Sequence, residues 1–220
     1  MRIRDLFSKI KANLTFGKKE IKKSIGWKSD IPSKEVIYFF GKGYIRPGDR
    51  VIDIGCGFGR NSNWLAKQGV KVTAINIDKD EIKNAESKES QMGVSVEYVK
   101  ANVTDIPFSR NLFDIALDLG CTHMCSKKDQ ELAVEEIARI LKPRGYLLYF
   151  GFSKEHPAYI NKPDSPQFRD LDDIKKLYCK YFDIIKVEKI EWKPKTEERV
   201  NFNKHKGLNI IMKRKNLSIK

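Results

Sequence analysis

The residues with the most chemistry in them fall in two short runs. The first is Val51-Ile52-Asp53-Ile54-Gly55-Cys56-Gly57-Phe58-Gly59, an apolar stretch closing on three alternating glycines, with an acid two residues ahead of the first. Glycines at that spacing let the backbone bend tightly and approach a ligand without Cβ clashes. The helix expected from Asn61 would turn its unpaired N–H groups toward the same place. A dinucleotide fingerprint needs glycine where Arg60 stands, so a pyrophosphate ligand is disfavoured. Asp53 suits instead a ligand carrying an ammonium and a sulfonium. The second run is FDIALDLGCTHMC, Phe113 to Cys125. Asp118 and His123 are its candidates to orient or deprotonate a nucleophile, His because its ordinary pKa lies near neutrality. The alternative for His123 is a structural place in the first turn of a helix. Cys121-x-His123-x-Cys125 crowds soft donors together as a metal site does. A fourth ligand is not evident and the spacing is unlike a zinc knuckle, so no metal is expected.

These runs need a frame. Arg50–Ile54, Val72–Ile77, Val96–Val99, Phe113–Leu117 and Tyr146–Phe150 read as apolar strands, separated by helical patterns over Asn61–Lys67, Lys79–Ser90 and Glu131–Leu141. The last of these helices should stop at the turn Lys142-Pro143-Arg144-Gly145. Such alternation implies a parallel sheet wrapped by helices, with ligands at the carboxyl ends of the strands. After a polar stretch, Ser153–Arg169, a helix over Leu171–Tyr181 precedes two further strands, Asp183–Trp192 and Leu208–Lys213. Upstream, Ile3, Leu6, Phe7, Ile10 and Leu14 mark an amphipathic helix, and Ser33 should cap a second helix through Val36, Ile37 and Phe40. The chain reads as one domain over residues 1–220, with a helical N-terminal cap over 1–46 and the core over 47–220.

Asp53-x-Gly55-x-Gly57-x-Gly59 resembles the first motif of the class I S-adenosylmethionine-dependent methyltransferases. The run GCGFGRNSNWLAKQGVKVTA, residues 55–74, resembles their tellurite-resistance and thiopurine-type small-molecule branch. The resemblance covers residues 47–150. It implies an α/β, Rossmann-like, seven-stranded and mostly parallel sheet with helices on both faces and an antiparallel C-terminal strand. It also implies S-adenosyl-L-methionine as cofactor, with Asp53, Gly55, Cys56, Gly57 and Gly59 around its methionine part. Where the family carries an acid for the ribose hydroxyls this chain has Asn76, followed by Ile77. An amide can bind a diol, through a weaker neutral bond. Asp78 could share that task, or cap the following helix. Asn102, beside Val103, stands where the family's acid meets the adenine amino group. Asp118 and Leu119 fall in the segment that contacts the methionine part, and Cys121 and His123 in its extension toward the acceptor. Trp27 is expected to close over the acceptor, or else to be a core tryptophan. Tyr159, after His156-Pro157, is expected to line the acceptor side.

Composition narrows the rest. With 40% hydrophobic and 33% charged residues the chain is globular, and no apolar run approaches the ~18 residues of a membrane span. Four cysteines without a secretory signal imply reduced thiols and a cytoplasmic location. The net charge of +14 is uneven. Residues 1–50 hold 13 basic and 5 acidic side chains, residues 51–150 hold 13 and 14, and residues 151–220 hold 17 and 10. Basic ends can steer a polyanion. Here lysines outnumber arginines 32 to 11, which reads as compositional bias more than as phosphate forks. Methylation of a small molecule is therefore the leading expectation, methylation of RNA or another macromolecule the second, and a silent cofactor-binding module the third.

Overall fold

The computed structural model describes residues 30–192 and 204–217. The amphipathic helix expected before residue 26, and Trp27, lie outside the described residues. In chain order the elements are α1 (Lys34–Gly41), β1 (Arg50–Ile54), α2 (Arg60–Lys67), β2 (Lys71–Asn76), α3 (Lys79–Met92), β3 (Val96–Lys100) and β4 (Phe113–Leu119). They continue with α4 (Lys127–Ile140), β5 (Leu141–Ser153), β6 (Phe168–Arg169), α5 (Leu171–Tyr178), β7 (Phe182–Trp192) and β8 (His205–Arg214). Short 3-10 turns sit at Thr122–Met124 and Pro157–Asn161.

The sheet runs β3-β2-β1-β4-β5-β8-β7, with the two-residue β6 added beside β5. The first five of these strands pair in parallel, and β8 runs antiparallel to both of its neighbours. Strand residues alternate between two cores, as a pleated strand buried on both faces must. Ile52, Ile54, Ala116, Leu147 and Tyr149 meet α4 and α5 through Val134, Ile137, Ile174 and Tyr178. Val51, Ile115, Leu117 and Leu148 meet α1 and α2 through Ile37, Phe39, Trp64 and Leu65 on the opposite side. The architecture expected from the sequence is present, with an eighth, two-residue strand that is too short to leave a periodic signal.

Two local readings change. The turn at Lys142–Gly145 does not end the pairing: β5 begins at Leu141 and the ladder shifts register opposite Asp114. Arg144 takes φ +65 there, and Lys142 closes the bulge with a 2.6 Å ion pair to Asp114. The α4 helix begins at Lys127, four residues earlier than the apolar periodicity suggests, because Ser126 accepts from the Asp129 amide as N-cap. Ser33 caps α1 by accepting from the Val36 amide, as expected. Among the described residues no helix is long and apolar enough to cross a membrane.

The first turn of α2 buries three polar side chains, each tied to a different element. Asn61 accepts from the Ser33 amide at 2.8 Å, Ser62 donates to Asp53 at 2.5 Å, and Asn63 accepts from the Tyr98 hydroxyl at 2.8 Å. Buried polar groups must be paired, so these bonds fix where α2 begins. They thereby hold the glycine turn between β1 and α2.

Candidate cofactor and acceptor site

The glycine turn leaves β1 at the carboxyl edge of the sheet, where the Gly55 and Cys56 amides both donate to the Ile75 carbonyl. Two of its glycines are needed for packing. A Cβ at Gly55 would lie 2.6 Å from Cys121 Cβ, and one at Gly59 would lie 2.8 Å from Ala85 Cβ and strike the Tyr98 hydroxyl. Gly57 differs. Its φ of +54 favours glycine, yet its missing Cβ faces only Glu81 Oε2, 3.8 Å away, among the described residues. This is the open side of the cradle. Beneath it, Asp53 is 3% exposed, and burial pushes its pKa up to about 6 against the opposing pull of the Ser62 hydroxyl and Arg60. Burial likewise pushes the Cys56 thiol up, helped by the charges of Asp53 and Glu81.

At the end of β2, Asn76 is buried and both ends of its amide are engaged. Oδ1 accepts from the Ile77 amide at 3.0 Å, and Nδ2 donates to Glu81 Oε2 at 2.7 Å. Ile77 is 65% exposed. Asp78 is the N-cap of α3, accepting from the Asp80 and Glu81 amides at 2.8 and 3.1 Å, so of its two expected roles it takes the structural one. After β3, Asn102 is exposed and its Oδ1 accepts from the Thr104 amide at 3.2 Å, while Val103 is buried in the α4-side core.

The turn after β4 rests on Asp118, which is 0% exposed. Its carboxylate accepts from the Cys121 amide at 3.1 Å, the Thr122 amide at 3.0 Å and the Thr122 hydroxyl. Its oxygens are thus turned to their own loop. Asp118 shapes the turn. Leu119, half-buried, packs against the α2-side core. Gln130 of α4 donates to the Cys125 carbonyl at 3.0 Å and the Pro166 carbonyl at 3.1 Å, pinning the turn to the segment after β5.

His123 is 3% exposed and its Nδ1 has no partner. The ring packs edge-on against Phe150 at 6.3 Å between centroids. Burial, with Arg169 nearby, pushes its pKa down to about 4. The expectation that His123 titrates near neutrality is therefore corrected, because desolvation penalises the imidazolium. The Cys-x-His-x-Cys run divides: Cys121 lies against Gly55 and accepts from the Cys125 thiol through its carbonyl at 3.8 Å, whereas the His123 ring packs edge-on against Phe150 and Phe152.

From His123 the rings continue. Phe152 stacks on Trp192 and Phe168, and Trp192 stacks on His205 at 5.2 Å. His205 Nδ1 meets His156 Nε2 at 2.7 Å, and His156 Nδ1 accepts from the Ala158 amide. Gly207 on β8 is what lets the rings lie there, since a Cβ would sit 2.7 Å from Phe150. Tyr159 packs on Phe168 at the edge of this floor. Trp192, His205, Glu81 and Gln130 escaped the sequence reading. The first two reach the site only because β7 ends and β8 begins at the carboxyl edge, a pairing no local signal announces.

A Gly-rich turn opening a helix at the switch point of this sheet is an arrangement found in the Rossmann-like α/β fold of methyltransferases. Residues 52–149 match the family described as "Methyltransferase domain". The chain is 32% identical over 104 residues to a fatty-acid O-methyltransferase of Mycolicibacterium smegmatis, covering 46% of this chain and 36% of that one. It is 33% identical over 144 residues to the ubiquinone/menaquinone biosynthesis C-methyltransferase UbiE of Cronobacter sakazakii, covering 62% and 56%. The chain thus spans little more than half the length of such relatives, or less. A SAM-dependent methyltransferase structure from Methanosarcina mazei superposes with a TM-score of 0.68 at 24% identity, covering 81% of this chain and 98% of that one. The cofactor that such a domain implies is S-adenosyl-L-methionine. The residues present fit it: a cradle that a Cβ at Gly57 would fill, a buried acid below, and a carboxylate–amide pair on the rim.

Proposed function

We propose that this chain is an S-adenosyl-L-methionine-dependent methyltransferase whose acceptor is a small, largely apolar molecule. The observation that carries this reading is the adjacency of two unlike surfaces. Cys121 touches the glycine turn at Gly55, and two residues on His123 touches the aromatic floor. In this reading Asp53, Gly55, Cys56, Gly57 and Gly59 surround the methionine part of the cofactor, and Asn76, Ile77, Asn102 and Val103 flank its nucleoside. Cys121, His123 and Tyr159 face the acceptor.

When bound, the cofactor supplies a methyl group already activated as a sulfonium. The chain has then to align the acceptor and exclude water more than to move protons. Phe150, Phe152 and Trp192 offer apolar area on which an acceptor desolvates. His123, neutral at physiological pH, is a weak base, and its buried ring supports the aromatic floor beneath the acceptor. The names of the fatty-acid and quinone methyltransferases among the relatives point to acceptors of the same apolar kind, and the branch that residues 55–74 resemble also takes small ones.

RNA would need free cations. In the described C-terminal half, Lys154, Lys175, Lys186, Lys189, Lys204 and Lys215 each stand beside a carboxylate, which weighs against a polyanion site. The test is incubation with methyl-labelled cofactor and, in parallel, fatty acids, quinones, a lipid extract and total RNA. Label is expected in the organic phase. Label in RNA, with binding that survives physiological salt, overturns the small-molecule reading. Cofactor binding with no transfer to any of these acceptors favours the silent module.

A further inference from the structure

Asn76 cannot offer its amide freely to a ligand, because Ile77 and Glu81 already hold it. Asp78, exposed, gives its Oδ1 to the cap of α3. The acid that faces the glycine turn is Glu81, in the first turn of α3, half-buried. Side chains on a helix tilt toward its N-terminus, which carries the Glu81 carboxylate back to the end of β2. There Oε2 does two things at once: it accepts from Asn76 Nδ2 at 2.7 Å, and it stands 3.8 Å from the place a Gly57 Cβ would take. Its charge is close enough to help hold the Cys56 thiol protonated. Among the described residues no lysine or arginine is paired with it. One carboxylate thus overlooks the open side of the cradle, fixed by an amide and, among the described residues, without a counter-ion.

We infer that Glu81 is the residue that takes the ribose hydroxyls of the cofactor, with Asn76 as the positioning residue that aims it. The inference rests on the cofactor reading above. A vicinal diol presents two O–H donors side by side, and a carboxylate accepts both through charge-assisted bonds, which a neutral amide cannot match. The same charge repels a ribose that carries a phosphate, so the site selects an unphosphorylated nucleoside. The acid has moved from the strand end to the following helix, and the amide left at the strand end has become its support.

The experiment is calorimetric titration of the full chain and of Glu81→Gln with S-adenosylhomocysteine and with its 2′-deoxy and 3′-deoxy ribose analogues. Glu81→Gln keeps the shape of the side chain on a half-exposed helix face, and its ligand-free thermal midpoint is expected to match the wild type. S-adenosylhomocysteine should bind the variant about tenfold more weakly. The deoxy analogues should lose about as much on the wild type, and little further on Glu81→Gln, since the partner of the missing hydroxyl is already gone. Equal affinity of both proteins for S-adenosylhomocysteine, or an equal deoxy penalty in both, overturns the assignment to Glu81 and leaves the cofactor placement standing. Failure of the wild type to bind S-adenosylhomocysteine at all overturns both.

Discussion

The 2.7 Å bond from Asn76 to Glu81 reverses an argument that residue types alone invite. An amide at the end of β2 reads as a weakened diol ligand, so restoring an acid there should tighten the cofactor. With Glu81 in place, Asn76→Asp instead sets two carboxylates within hydrogen-bond distance, and like charges that close do not both ionise freely. The expected outcome is a loss of affinity for S-adenosylhomocysteine of roughly fivefold at pH 7.5, shrinking toward pH 5 as the pair comes to share a proton. Titration at both pH values checks it. Tighter binding by Asn76→Asp would put residue 76 itself on the ribose.

At the scale of the element, the turn between β1 and α2 separates two duties of glycine. Gly59→Ala places a methyl 2.8 Å from Ala85 Cβ and against the Tyr98 hydroxyl at φ +72, and should cost about 2–4 kcal/mol of stability. Gly57→Ala meets only the Glu81 carboxylate tip, so it should fold at a cost of about 1–2 kcal/mol and yet lose the thermal shift given by S-adenosylhomocysteine. Thermal unfolding of both variants with and without ligand reads the two duties apart. A full ligand shift in folded Gly57→Ala would take the cofactor off this turn. The turn was legible because Gly55, Gly57 and Gly59 are punctuation that few other structures need, and the inner parallel strands because they are largely apolar on both faces. What hid was set by contacts across the chain. The acid of Glu81 looks like ordinary first-turn helix charge until the end of β2 is beside it. The bonds by which Asp118 holds its own turn depend on how that turn folds back. Arg144 at φ +65 shows a bulge where a proline-glycine turn was the natural expectation.

For the whole molecule, the histidines set the acid limit. Burial holds His123 and His156 down to about 4, and His205 is also lowered. Below pH ~6.5 the unfolded chain takes up protons that these folded rings refuse, so their stability contribution is complete above that pH and is lost as pH falls toward 4. Asp53 works in the opposite sense: its carboxyl, raised to about 6, keeps a proton that the unfolded chain releases above pH ~4, so it costs stability as pH rises through that window. His123 alone accounts for up to about 3 kcal/mol of the acid limb. His123→Phe, which keeps a ring against Phe150 and Phe152, should flatten that limb by about this amount. Denaturant unfolding at half-unit steps from pH 4 to 7 measures it. An unchanged slope would mean that the imidazole is charged in the fold.

Asp53 also makes the molecule a proton donor in the calorimetric sense. Held near half-protonation at pH 6 under the glycine turn, its carboxyl will ionise when the ammonium of a ligand's methionine part settles above it. Binding of S-adenosylhomocysteine at that pH should expel about half a proton, and none near pH 8. The heat of the same titration should then differ between a buffer with a small ionisation enthalpy, such as phosphate, and one with a large one, such as imidazole, by that fraction of the difference. Identical heats in the two buffers at pH 6 would show that the charge under the turn does not change when the site fills.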